Sequence, residues 1–212
     1  MALADAQSLA IRKLLSKAAS ESTLSPGPPL PKSHPSTALL AKLHLDCVAL
    51  YSSARTLAMA SSKSSLASGL RASFGPVSKS QSDGGGHSGE VSADLLKYLE
   101  KETKFHSAIA HKWLGVDAGE TSKPGKGGEA VGFLKWAQQE LEDLHTPRLS
   151  KLGIGRDGTK DQEQDGKRKH RKARTEKELK SVKAFLDHYR KINDSVCRSV
   201  LDTIDLPTLP LL

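Results

Sequence analysis

Residues 92–147, SADLLKYLEKETKFHSAIAHKWLGVDAGETSKPGKGGEAVGFLKWAQQELEDLHTP, decide the fold. Leu95, Leu96, Leu99, Ile109, Ala110 and Trp113 recur at helical steps. Ser92 stands just before them, where a hydroxyl can accept a hydrogen bond from a free helix N–H. Gly115 and Gly119 bracket the end of this pattern, which predicts a helix over 92–115. A Pro/Gly loop at 122–128 follows. A second stripe then runs through Ala130, Phe133, Leu134, Ala137, Leu141 and Leu144, and Pro147 stops it. Glu129 opens this helix, predicted over 129–145, with its carboxylate at the positive helix end. Two such helices joined by a short Gly-rich loop form an antiparallel hairpin.

The same periodicity extends to both sides. Ala2, Leu3, Ala6, Leu9, Ala10, Leu14 and Ala18 mark a helix over 2–19. It lacks a capping residue before it, which predicts a chain that starts inside a larger domain. Five prolines make 20–35 a loop, after which Ser36 or Thr37 can cap a helix over 37–61. On that helix Leu39, Leu43, Leu50 and Leu57 share one line, while Leu40, Cys47, Tyr51, Ala54 and Ala58 share another. The combined apolar arc is wider than one neighbouring helix needs, so two neighbours cover it or part stays open for a partner. Ser- and Gly-rich residues 62–91 and polar residues 146–172 read as mobile loops. A last helix is expected over 174–201, followed by an extended Leu/Pro tail over 202–212.

Apolar residues are 37% of the chain and aromatics only 4%, so part of its 212 residues is expected outside any core. Leu and Ala dominate the apolar set while Val and Ile are scarce, which selects an all-α class. Cys47 and Cys197 have no metal or redox spacing, and the reading is of buried thiols in a reducing compartment. The first apolar residues are interrupted by Asp5, Arg12 and Lys13, unlike a signal peptide. No apolar run approaches the roughly 20 residues that span a bilayer. The expectation is a soluble, cytoplasmic protein.

The residues offer little chemistry. Gly125-Lys126-Gly127-Gly128 lacks the Ser or Thr and the preceding strand of a phosphate loop. His106 and His111 are five apart on one helix and so face different ways, and no HExxH or GxSxG occurs. Glu140, Glu142 and Asp143 read as a solvated helix end. Hence no catalytic residue, cofactor, metal or small-molecule substrate is expected. The net charge of +8 points to acidic partners, and it is densest at Lys167, Arg168, Lys169, Arg171, Lys172 and Arg174. That run reads as a solvated linker, an anionic-lipid contact, or a nuclear-import or nucleic-acid patch. Nucleic acid is disfavoured because the thirty residues neighbouring the run supply neither a stacking aromatic nor a docking helix until Phe185.

Several segments together resemble the BRO domain, the banana-shaped helical module of Alix and the fungal pH-response adaptors. They are Ala4-Asp5-Ala6-Gln7-Ser8-Leu9, Ala38-Leu39-Leu40-Ala41-Lys42-Leu43 with Tyr51, Phe105-His106-Ser107-Ala108-Ile109-Ala110, and Gly128-Glu129-Ala130-Val131. Lys191-Ile192-Asn193-Asp194 before Leu206-Pro207 resembles the family's exit, and residues 110–120 look most like its PalC branch. The resemblance covers the C-terminal half of the domain and implies tetratricopeptide-like helical hairpins. It also implies a scaffold in ambient-pH signalling, cytoplasmic and recruited peripherally to endosomal or plasma membrane. Its expected partner is the C-terminal amphipathic helix of an ESCRT-III subunit, taken in an apolar groove. Carried over by position, that groove involves Ala10, Ile11, Leu39, Leu43 and Leu50. Relatives such as Alix present bulky aromatics where this chain has Ala10 and Ile11, which implies a shallower groove. With half the domain absent, the helices at 2–19 and 37–61 are expected to expose apolar surface and favour association.

Overall fold

Leucine and alanine at helical spacing produce helices throughout. The computed structural model describes residues 1–21, 28, 30–31, 34–72, 91–121, 126–145 and 161–203, and the regular elements among them are all α-helices. These are α1 (Ala2–Glu21), α2 (Thr37–Ala72), α3 (Ala93–Glu120), α4 (Lys126–His145) and α5 (Asp161–Thr203). Parts of the expected loops (22–27, 29, 32–33, 73–90, 122–125, 146–160) and residues 204–212 of the expected extended tail lie outside the described residues.

Two caps form as the sequence predicts. The Ser92 hydroxyl accepts from the Asp94 N–H at 3.2 Å. Ser36 accepts from the Leu39 N–H at 3.4 Å, leaving the Thr37 hydroxyl to donate to Asp117 Oδ1 at 2.6 Å across α2 and α3.

Several helices outrun their expected ends. α2 continues to Ala72, well past 61, through a stretch whose Ala and Leu content supports helix despite its serines. α3 passes both glycines and ends at Glu120, because those glycines serve packing. A Cβ on Gly115 would lie 2.8 Å from Leu134 Cγ and 3.0 Å from the Ala130 carbonyl oxygen, and one on Gly119 would strike the Tyr189 ring. α4 takes in Lys126, Gly127 and Gly128, with Lys126 Nζ 2.6 Å from Glu129 Oε2. α5 begins at Asp161, inside the expected 146–172 loop. Its first turns combine acidic residues with long straight-chain cations, a sequence order that suits a helix N-terminus.

Consecutive helices run antiparallel. Asp5 meets Tyr51 and Gln7 meets Leu43 between α1 and α2; Thr37 meets Asp117 and Tyr51 meets Tyr98 between α2 and α3. His111 meets Glu140 beside the Gly115–Ala130 approach, and Lys183 meets Glu142 while Asn193 lies against Gly127. α5 thereby comes back parallel to α3, with Glu102–Arg174 and Glu120–Tyr189 as cross-links. The result is a row of helical hairpins with α3 at its centre, packed against α2, α4 and α5.

Leu99, Ile109, Trp113 and Val116 of α3 supply the middle of the core. Around them pack Leu40, Cys47 and Tyr51 of α2, Leu134 and Leu141 of α4, and Val182, Phe185 and Leu186 of α5.

Candidate partner-docking face

Among the described residues, α1 is covered on one side only. Ala4 and Ile11 face the core, and two tyrosines anchor the helix: the hydroxyls of Tyr51 and Tyr98 both donate to Asp5 Oδ1, at 2.7 and 3.2 Å. The Gln7 side-chain amide donates to the Leu43 carbonyl at 2.9 Å. Away from the core, Leu3 (66% exposed) and Leu14 (42%) flank the exposed Ala10. At about 100° per residue these three fall on one line, roughly 60–120° behind the core-facing pair Ala4 and Ile11.

α2 repeats the offset. Leu40, Cys47 and Tyr51 face the core, and the Leu39, Leu43, Leu50, Leu57 line lies behind them by a similar angle. Leu39 is 47% exposed and Leu57 71%, while Leu43 and Leu50 are partly buried against the core. Equal offsets on two antiparallel helices point to the same side of the pair. The two lines therefore border one apolar strip, with Gln7 and Leu43 on its floor.

Of the five residues expected in the groove, Leu39 and Ala10 stand exposed and Leu43 and Leu50 lie partly covered between the two helices. Ile11 is 2% exposed and belongs to the core, because it follows the Ala4 face of α1. Leu3, Leu14 and Leu57 complete the strip. The 3-10-14 spacing was the signal for the first two.

The basic run is divided by the fold. Arg168, Lys169 and Lys172 are exposed, Arg171 is half-buried, and the side chain of Lys167 lies outside the described residues. Arg174 turns inward, 2.7 Å from Glu102 Oε2, with its guanidinium 3.8 Å from the centre of the Phe105 ring. Lys112, also buried, pairs with Glu178 at 2.8 Å. These pairs tie α5 to α3.

Three of the histidines are likewise structural in their settings. His44 and His106 face each other inside the protein, Nδ1 to Nδ1 at 2.8 Å, so one donates and the other accepts. Burial and then the mutual repulsion of the pair push His44 down to about 3; burial and then Arg174 push His106 down to about 4. His111 Nδ1 sits 2.8 Å from Glu140 Oε2, under a Trp136 ring stacked 3.9 Å above it. Burial raises the Cys47 thiol to about 11 and holds it protonated. No group of three His, Cys, Asp or Glu side chains among the described residues is arranged to hold a metal ion. No helix among them is long and apolar enough to cross a membrane.

Among the described residues this architecture is an all-α array with a packed core and an apolar strip left uncovered along α1 and α2. Over 204 residues the chain is 41% identical to the pH-response regulator protein palC of Cryptococcus neoformans var. neoformans serotype D (strain B-3501A). That alignment takes in 92% of this chain and 41% of the relative, and it shows the expected likeness to the PalC branch. The chain thus spans about two-fifths of the length of the curated relative it matches. No family model matches the chain, and no solved structure matches it.

Proposed function

We propose that this chain is the helix-docking part of a non-catalytic adaptor in a pH-response pathway. In this reading it takes the C-terminal amphipathic helix of an ESCRT-III subunit on the strip between α1 and α2, in the cytoplasm beside endosomal or plasma membrane. The BRO-like segments of the sequence support the reading, as does the likeness to a pH-response regulator. The observation that carries it is the exposure of Leu3, Leu14, Leu39 and Leu57 along one side of two adjacent helices. Leucines kept in water along a helix pair offer apolar surface to the anchors that an amphipathic helix places at every third or fourth residue.

The small Ala10 at the middle of the strip leaves room for a large apolar anchor from the partner. Gln7, already donating to Leu43, ties the two helices together beneath the strip. Specificity would then come from rim residues such as Lys13, Lys42 and Asp46, all exposed beside the leucines.

Fluorescence anisotropy with a labelled ESCRT-III C-terminal helix tests this. Saturable binding is expected, weakened at least about tenfold by Leu39→Asp, since a buried unpaired charge costs more than 1.4 kcal/mol. Circular dichroism should show the variant as helical as the parent, because Leu39 is exposed. Binding unaffected by Leu39→Asp, or none by the folded chain, would refute the reading.

A further inference from the structure

The structure separates the basic run into a part that holds the fold and a part that does not. The ion pairs of α5 among the described residues are Arg174–Glu102, Lys112–Glu178, Lys180–Glu176 and Lys183–Glu142. Arg168, Lys169 and Lys172 enter none of them and are exposed, with Lys172 one turn from Glu176 and near enough for their charges to interact. Glu176 lies close enough to His145, the last residue of α4, for their charges to interact. The turns bearing Arg168, Lys169 and Lys172 therefore run beyond the end of α4.

Their directions are equally defined. At about 100° per residue, Lys172 lies roughly 40° and Lys169 roughly 100° round the helix from Arg168. The core-facing residues Val182, Phe185 and Tyr189 lie outside this arc. Arg190 and Lys191, also exposed, return to the same side about 30 Å further along the rod, with the exposed Glu176 and Asp187 between the two groups.

We infer that this side of α5 rests on an anionic lipid surface, with Arg168, Lys169 and Lys172 as the principal contacts. Three long cations grouped on one side of α5, beyond the end of α4, fit a plane of negative charge, since all three can reach it at once. A nucleic-acid partner fits less well. The aromatic rings of α5, Phe185 and Tyr189, are buried in the core, and the exposed Trp136 sits on α4 stacked over His111. No platform for stacked bases thus adjoins the cations among the described residues. A duplex groove would enclose the helix from both sides, whereas these cations occupy one. The contact is independent of the α1/α2 strip, so either can fail without the other.

Sedimentation of the whole chain with phosphatidylcholine vesicles, with and without phosphatidylserine, tests the inference. Binding should require phosphatidylserine and weaken as salt rises. Each basic residue near such a surface contributes roughly fivefold in affinity, so Arg168→Gln/Lys169→Gln/Lys172→Gln should lose about 100-fold. A charge-matched control, Lys13→Gln/Lys101→Gln/Lys135→Gln, removes exposed lysines on α1, α3 and α4 and should keep most of the binding. Both variants should melt like the parent, and Leu39→Asp should bind vesicles unchanged. Equal losses in the two triple variants would overturn the inference, as would binding indifferent to phosphatidylserine or a preference for duplex DNA over the charged vesicles.

Discussion

Along the centre of α3, groups that prefer water are inside: Glu102, His106 and Lys112 are all buried. Along the outer side of α1 and α2 the order is reversed, and Leu3, Leu14, Leu39 and Leu57 face outward. A packed seam tolerates charge when each charge has a partner, as Glu102 has in Arg174 and Lys112 in Glu178. An exposed leucine has no such compensation in the free chain. The charges of the seam are thus paired within the chain, and the strip is the region that a second molecule would cover.

The contrast is tested most severely by unpairing a buried charge. Glu178→Ala leaves Lys112 without its carboxylate, and a loss of roughly 3–5 kcal/mol is expected by urea unfolding. The double variant Lys112→Met/Glu178→Leu should recover most of that loss, since apolar replacement of a buried pair is often near neutral. A small effect of the single variant would mean that water already reaches the pair.

Acid acts next. The His44–His106 pair is neutral in the folded protein, with values pushed to about 3 and about 4, whereas an unfolded histidine binds its proton near 6.5. The unfolded state therefore takes up more protons over this window. Stability from the pair is complete above pH 6.5 and drains away as pH falls toward 4, at up to about 1.4 kcal/mol per unit for each ring. Replacing both, as His44→Leu/His106→Phe, should flatten the stability profile between pH 6.5 and 5, where few carboxylates titrate. An unchanged slope in that variant would remove the pair as its cause.

Two glycines contrast the packed seam with an exposed helix face at a smaller scale. Gly115→Ala must push against Leu134 and the Ala130 backbone, and a net loss of about 1–2 kcal/mol is expected although alanine favours helix. Gly132→Ala on the outside of α4 meets nothing within 4 Å and should gain up to about 1 kcal/mol. Equal thermal shifts for the two would deny the close α3–α4 approach. Smallest of all, Leu57→Ser should change stability by no more than about 0.5 kcal/mol, as expected of a side chain that only a partner covers.

The helices were legible because their core residues are leucine, alanine and aromatics at regular steps, and both serine caps announced themselves. The glycines of α3 misled, because Gly115 and Gly119 read locally as a stop while their purpose lies on α4 and α5. The start of α5 was hidden for a related reason: its residues are too polar for an apolar stripe, yet Gln, Glu, Lys and Arg are good helix formers. Within the strip, periodicity found Leu39, Leu43, Leu50 and Leu57 as a line. It could not tell which of them α1 covers, since that depends on where a neighbouring helix sits. Ile11 shows the converse, an apolar residue carried to the strip by resemblance and assigned to the core by its place beside Ala4. The conflict at Glu102 and His106 was readable in principle, for both continue the Leu99–Ile109–Trp113 face of α3.

The location of the partner is the central claim, and hydrogen–deuterium exchange of the whole chain with and without a saturating ESCRT-III helix peptide addresses it most directly. The expected result is slowed exchange confined to α1 and the first half of α2, with the α3–α4–α5 seam unchanged. Protection centred instead on the Trp136 side of α4, or none at all under saturating peptide, would contradict it.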